Sequence, residues 1–66
     1  DALPIFLRTV IYYYHQQALA MEGNPLWVYK SMCITSACLR AMGYNGINKR
    51  NLFDLWILDM RQIWRG

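Results

Sequence analysis

The sequence predicts an all-α fold, a compact three-helix bundle in which residues 1–66 form a single helical domain. Apolar residues recur every three or four positions in three segments, and proline, glycine and asparagine residues separate those segments. No segment shows the sustained alternation of apolar and polar residues that is typical of a half-buried strand. We expect helices at about residues 4–22, 25–42 and 49–65, and we expect oligomerisation to complete the bundle.

The first predicted helix starts at Pro4, which suits the first helical position, and Gly23 ends it. Its packing seam follows alternating spacings of four and three residues along Leu7, Ile11, Tyr14, Ala18 and Met21. The opposite side is mixed, because Ile5, Tyr12 and Leu19 lie there among polar residues. His15 also lies on this side, and we interpret it as a solvent-facing side chain.

The second predicted helix has Asn24 as its N-cap and Pro25 in its first turn, and we expect a left-handed Gly43 at its end. Two apolar stripes run along it, one through Trp27, Ile34, Cys38 and Ala41 and another through Val28, Met32 and Leu39. Polar breaks fall at Lys30, Ser31, Thr35, Ser36 and Arg40. A helix that is apolar on several sides is predicted to be the central one.

A turn at Asn45-Gly46 separates the second helix from the third, because asparagine and glycine adopt positive φ at low cost. Asn48 or Asn51 caps the third helix. Its apolar side is the best defined in the chain and comprises Leu52, Phe53, Trp56, Ile57, Met60, Ile63 and Trp64.

Apolar residues make up 56% of the 66 residues and charged residues only 17%, which argues against a disordered chain. A domain of this size buries only about 60% of the surface that its unfolded chain exposes. Apolar side chains should therefore remain exposed and form an interface, chiefly on the first two helices. The predicted interface residues are Ile5, Tyr12, Tyr13, Leu19, Val28, Met32, Leu39 and Trp64.

This composition favours a non-enzymatic protein–protein interaction module that binds or occludes a partner, either a second copy in a homodimer or a host protein. Many small phage and mobile-element products inhibit host machinery in this way. The alternative is a small dimeric regulator that resembles a helix-turn-helix protein in layout. Its candidate nucleic-acid contacts are Arg40, Asn48, Lys49, Arg50 and Asn51. Asp54 and Asp59 on the third helix oppose this alternative, because they would repel phosphates.

No catalytic constellation, metal site, cofactor or small-molecule substrate is expected from one histidine, four carboxylates and two cysteines. Cys33 and Cys38 would point about 140° apart on a helix, so we expect two thiols that act as small apolar residues. Free thiols indicate a reducing compartment, and neither a signal peptide nor a membrane span is predicted. The sequence therefore favours a cytoplasmic protein.

Overall fold

The computed structural model describes residues 2–21 and 25–65, and over these ranges it contains three α-helices and no strand. Helix α1 spans Ala2–Ala20, α2 spans Leu26–Ala41 and α3 spans Lys49–Trp64. The prediction of an all-α, three-helix fold is confirmed. Within the described ranges, no helix is long and apolar enough to cross a membrane.

The ends of α1 and α2 differ slightly from the prediction. Helix α1 begins at Ala2, so Pro4 lies inside the first turn, where a missing backbone N–H removes no intrahelical hydrogen bond. The predicted cap Asn24 lies outside the described residues. Pro25 occupies the N-cap position of α2, and its carbonyl oxygen accepts a hydrogen bond from the Val28 N–H at 3.0 Å.

The connection between α2 and α3 reverses at Gly46, not at Gly43. Gly46 has a φ of +79° and is the only residue in the described part of the chain with positive φ, so the prediction of a left-handed Gly43 is wrong. The Gly43 N–H donates to the Arg40 carbonyl at 3.1 Å and keeps the end of α2 right-handed. Asn48 is the cap of α3, because its side-chain oxygen accepts from the Asn51 N–H at 3.2 Å.

Helix α2 packs against both α1 and α3, so the prediction that α2 is the central helix is confirmed. It is antiparallel to α3, because Leu26 lies near Ile63 at one end and Ala41 lies near Leu52 at the other. The three helices together extend over 41 × 21 × 15 Å.

A small apolar core lies between the helices. Leu7 and Tyr14 of the predicted α1 seam are buried, as are Trp56 and Met60 on the predicted apolar side of α3. Val28 and Met42 complete the buried apolar cluster. The periodicity of α1 and α3 therefore identifies their buried faces correctly.

The buried face of α2 is small and partly polar. Ser31 and Thr35, which the sequence suggests are breaks in an apolar surface, have no exposed surface. Each hydroxyl donates to the carbonyl four residues earlier, from Ser31 to Trp27 at 2.7 Å and from Thr35 to Ser31 at 2.6 Å. A hydroxyl that is satisfied by its own helix can be buried without an orphaned donor, so hydroxyl polarity does not predict exposure here.

Thr35 also joins α2 to α3. Its Oγ1 accepts a hydrogen bond from Trp56 Nε1 at 2.9 Å, and both side chains are buried. The Thr35 hydroxyl thus donates within α2 and accepts from α3 at the same time. This bond places the largest buried ring of α3 directly against the narrow face of α2.

Aromatic contacts connect α1 to α3. The Phe6 ring meets Phe53 at 5.9 Å and Trp56 at 6.1 Å between centroids, both in edge-to-face geometry. Further along, Trp64 Nε1 donates to the Tyr14 hydroxyl at 3.2 Å. The first contacts join the N-terminal halves of α1 and α3, and the hydrogen bond joins residues nearer their C-terminal ends. The two helices therefore run parallel.

We expect Thr35→Val to lower the free energy of unfolding by about 1–3 kcal/mol, because a buried indole N–H loses its acceptor. In a Trp56→Phe background no indole N–H remains, so the same Thr35→Val change should cost less. Urea unfolding followed by far-UV circular dichroism for the four proteins of this cycle measures the difference. Equal costs in both backgrounds would show that the hydrogen bond contributes nothing.

Candidate functional site

The folded chain exposes more surface than its size requires. Its accessible surface is 4910 Å², whereas a compact monomer of 7.8 kDa should expose about 4,400 Å². Large apolar side chains contribute to this surface on all three helices, including Leu55 and Leu58 of α3. The expected concentration of surplus apolar residues on α1 and α2 is therefore too narrow.

The first apolar surface is the outer face of α1. Ile5, Tyr12 and Leu19 are 61%, 66% and 71% exposed, and they follow one another at intervals of seven residues. Seven residues are close to two helical turns, so the three side chains align over about 21 Å. They lie on the side of α1 away from buried Leu7 and Tyr14. We call Ile5, Tyr12 and Leu19 the outer α1 stripe.

Within Ala2–Ala20, the side chains of Arg8 and His15 border the outer α1 stripe. Arg8 and His15 are exposed and are also seven residues apart, so they form a second line along the helix. Helix α1 contains no aspartate or glutamate. A partner surface with carboxylates at the corresponding positions would be attracted to this side of α1.

The structure divides the other predicted interface residues into two groups. Tyr13 and Trp64 are exposed at 58% and 57%, and they lie at the rim beside Tyr14, against which the Tyr13 ring packs at 5.7 Å. Val28 is fully buried, so its assignment to an interface is wrong. Met32 and Leu39 are half-buried against the core cluster. Val28 thus belongs to the buried face of α2, and Met32 and Leu39 pack against the same core cluster.

A second apolar surface, which sequence reasoning missed, is the groove between α2 and α3. Three open depressions of about 500, 300 and 340 Å³ meet at Ile34. Leu26 and Ile63 line one end of this α2–α3 groove. Lys30 and Asp59 lie on its opposite walls in the largest depression. A second stripe with helical spacing on each helix could have predicted this groove from the sequence. The stripes comprise residues 26, 30, 33 and 37 on α2 and residues 52, 55, 59 and 62 on α3.

The candidate nucleic-acid residues surround the start of α3, and several have local roles there. Asn48 caps the helix by accepting from the Asn51 N–H, and Arg50 Nε donates to the Asp54 carboxylate at 3.1 Å. Arg40 is exposed at the end of α2, and Lys49 is half-buried. The loop between the helices covers residues 42–48, which is longer than the tight turn of a helix-turn-helix. The segment stabilises the start of α3 at the positions proposed to contact bases.

Both cysteines are free thiols, and they differ in burial. Cys33 is exposed beside the α2–α3 groove, so the expectation that both act as packing residues is wrong for Cys33. Cys38 is half-buried, and its Sγ donates to the Leu52 carbonyl at 3.6 Å. Burial, and secondly the negative charge of Asp59, raise the pKa of the Cys38 thiol. Cys38 is therefore a neutral thiol that packs between α2 and α3.

His15 is exposed on α1, as predicted. Over residues 2–21 and 25–65, no three histidine, cysteine, aspartate or glutamate side chains come together in a way that could hold a metal ion. Comparison of the chain with protein-family models, curated proteins and solved structures gives no match.

We expect the pKa of Cys38 to lie above the ordinary value for a thiol, and we expect Asp59→Asn to lower it, because one source of repulsion on the thiolate is removed. The pH dependence of alkylation in a Cys33→Ser background measures this pKa with one thiol present. The pKa should stay raised in the Asp59→Asn variant, since burial is the larger cause. Denaturant, which abolishes burial, provides the control. An unchanged pKa on unfolding would contradict the assignment.

Proposed function

We propose that this protein is a non-catalytic interaction module that binds a partner polypeptide through the outer α1 stripe. The observation that carries the proposal is the exposure of Ile5, Tyr12 and Leu19, each at least 61% exposed, along one line of α1. Tyrosine offers a large rigid contact area at low entropic cost, and such residues dominate binding energies at interfaces. The partner would bury all three together.

An amphipathic helix with acidic flanks is the partner chemistry that fits this face. A second helix packing along α1 would meet one stripe residue at every second turn, which is the spacing of Ile5, Tyr12 and Leu19. Carboxylates on that helix would pair with Arg8 and accept a hydrogen bond from His15. Binding would act by occluding or scaffolding the partner, as a small inhibitor does.

A non-catalytic role in the cytoplasm is part of the same proposal. His15 lies on α1, whereas the Asp54 and Asp59 carboxylates lie on α3 and are directed to an ion pair and to the α2–α3 groove. The two free thiols support a reducing compartment. The separation of His15 from the two carboxylates is the observation that supports a non-catalytic role, and the free thiols are the observation that supports the cytoplasm.

The proposal is tested by placing a photo-crosslinking amino acid at Tyr12 and, as a matched control, at exposed Arg61 on α3. Crosslinking in native cells identifies a candidate partner, and titration of that purified partner with the purified chain gives Kd. We expect an adduct specific to the Tyr12 position. We also expect Tyr12→Ser with Leu19→Ser to raise Kd by more than about 100-fold, as loss of two hot-spot side chains does.

The double variant should remain folded, because substitutions at positions this exposed change stability by only about 0.5 kcal/mol each. Arg8→Glu should also weaken binding if the partner is acidic. Adducts that are the same at Tyr12 and Arg61, or a Kd unaffected by the double variant, would refute the role of the stripe.

A DNA-binding regulator is the competing function, and salt dependence separates it from the proposal. We expect no saturable binding to duplex DNA at low salt, because Asn48 and Arg50 have partners at the start of α3. Fluorescence anisotropy with labelled duplex measures this. Saturable binding that falls steeply with salt and is lost in Arg40→Gln with Arg50→Gln would instead favour phosphate contacts.

A further inference from the structure

We infer that the α2–α3 groove binds the same groove of a second copy of this chain, forming a two-fold dimer with a four-helix interface. The inference shares one assumption with the proposed function, namely that exposed apolar surface is contact surface. It uses a different face of the molecule, the α2–α3 groove and not the outer α1 stripe. Each can therefore fail without the other.

Both walls of the groove carry the spacing of a helix-packing seam. On α2 the exposed positions are residues 26, 30, 33 and 37, and on α3 they are residues 55, 59 and 62, which continue from half-buried Leu52. Alternating steps of three and four residues keep side chains on one side of a helix. Leu26 and Leu55 on these seams are each 58% exposed. Two helices thus present unpaired seams side by side, as half of a four-helix bundle does.

Charge on the groove walls is complementary to itself. Lys30 and Asp59 line the same depression from opposite walls, so they lie at nearly the same height along the groove. A two-fold axis parallel to the groove places α2 of one copy over α3 of the other without changing height. Lys30 of each copy then meets Asp59 of the other, and two reciprocal ion pairs form. In the single chain these two side chains are not in an ion pair with each other.

Side-chain size is complementary in the same arrangement. Ala37 and Ala41 on α2 share a depression with Leu52 and Leu55 on α3. The two-fold axis that pairs the charges also places the small alanines of one copy opposite the leucines of the other. A protruding Leu55 would enter the space above Ala37 and Ala41, which gives the interdigitated packing of a bundle core.

The size of the face is compatible with a dimer. Two helices of 16 residues lying side by side present a plane about 24 Å long and about 20 Å wide, or roughly 500 Å². Each partner of a specific complex buries roughly 800 Å² of accessible surface. Interdigitated side chains bury more accessible surface than the plane they cover, and exposed Tyr29 and Leu58 extend the margins.

Helix α1 packs on the core sides of α2 and α3, away from the groove. The dimer therefore leaves both outer α1 stripes uncovered, at opposite ends of the assembly. A partner with two binding sites would gain avidity from this arrangement.

Sedimentation equilibrium of the full chain tests the dimer through a charge exchange. Lys30→Asp and Asp59→Lys each place two like-charge pairs in the interface, so each variant alone should dissociate with Kd raised by roughly 30-fold or more. An equimolar mixture of the two variants restores opposite charges at both positions and should form a heterodimer. The double variant Lys30→Asp with Asp59→Lys should dimerise by itself. Arg61→Asp, which makes the same charge change outside the groove, should leave dimerisation unaltered.

Circular dichroism confirms that each variant remains helical, and the mixture and the double variant report on pairing even if a single variant is unstable. A wild-type chain that is monomeric up to its solubility limit would overturn the inference. So would dimers that survive both single charge reversals, or a mixture that stays monomeric. Dissociation caused instead by Tyr12→Ser with Leu19→Ser would place the dimer contact on α1 and overturn it as well. The charge-reversal outcomes leave the partner titration of the outer α1 stripe unaffected, whereas a dimer contact on α1 would make a second copy the occupant of that stripe.

Discussion

The hydrogen bond from Trp56 to Thr35 is the interaction on which the arrangement of the helices depends. It is buried at both ends and joins residues that are 21 positions apart. Because the Thr35 hydroxyl also donates to the carbonyl of Ser31, one small side chain satisfies two requirements and lets α3 approach α2 closely. The Trp56 ring, held in this position, stacks on Phe53 and meets the edge of Phe6. The contact between α1 and α3 is thus built on a ring that α2 holds in place.

The same contact explains why so much apolar surface remains exposed. The side of α2 that faces the core carries Val28, Ser31 and Thr35, which occupy little volume. Larger residues of the helix, such as Leu26 and Tyr29, lie outside this side and stay 58% and 46% exposed. A closely packed polar centre is compatible with stability because every buried side-chain nitrogen and oxygen in the described residues has a hydrogen-bond partner. As a consequence, the core is narrow, and apolar side chains on either side of it remain exposed.

Two apolar surfaces result, and they lie on opposite sides of the molecule. The outer α1 stripe is bordered by Arg8 and His15 and suits an acidic partner. The α2–α3 groove carries one positive and one negative side chain, Lys30 and Asp59, and suits its own copy. The two proposals, self-association and recognition of another protein, therefore use different faces of one chain of 66 residues.

The sequence by itself determined the features that depend on neighbouring residues. An asparagine cap on α3, the turn at Gly46, the buried positions Leu7 and Tyr14 and the exposure of Ile5, Tyr12 and Leu19 all follow from periodicity or local backbone preferences. The choice of Asn48 over Asn51 as that cap came from the structure.

Only the tertiary structure decided which side of α2 is buried. That helix is apolar on several sides, and a serine or threonine that bonds its own backbone is as easily buried as a valine. Val28 could therefore not be distinguished from an interface residue, nor Ser31 from a surface residue. The placement of Lys30 and Asp59 on opposite walls of one depression likewise required the register of two helices, which local sequence does not encode.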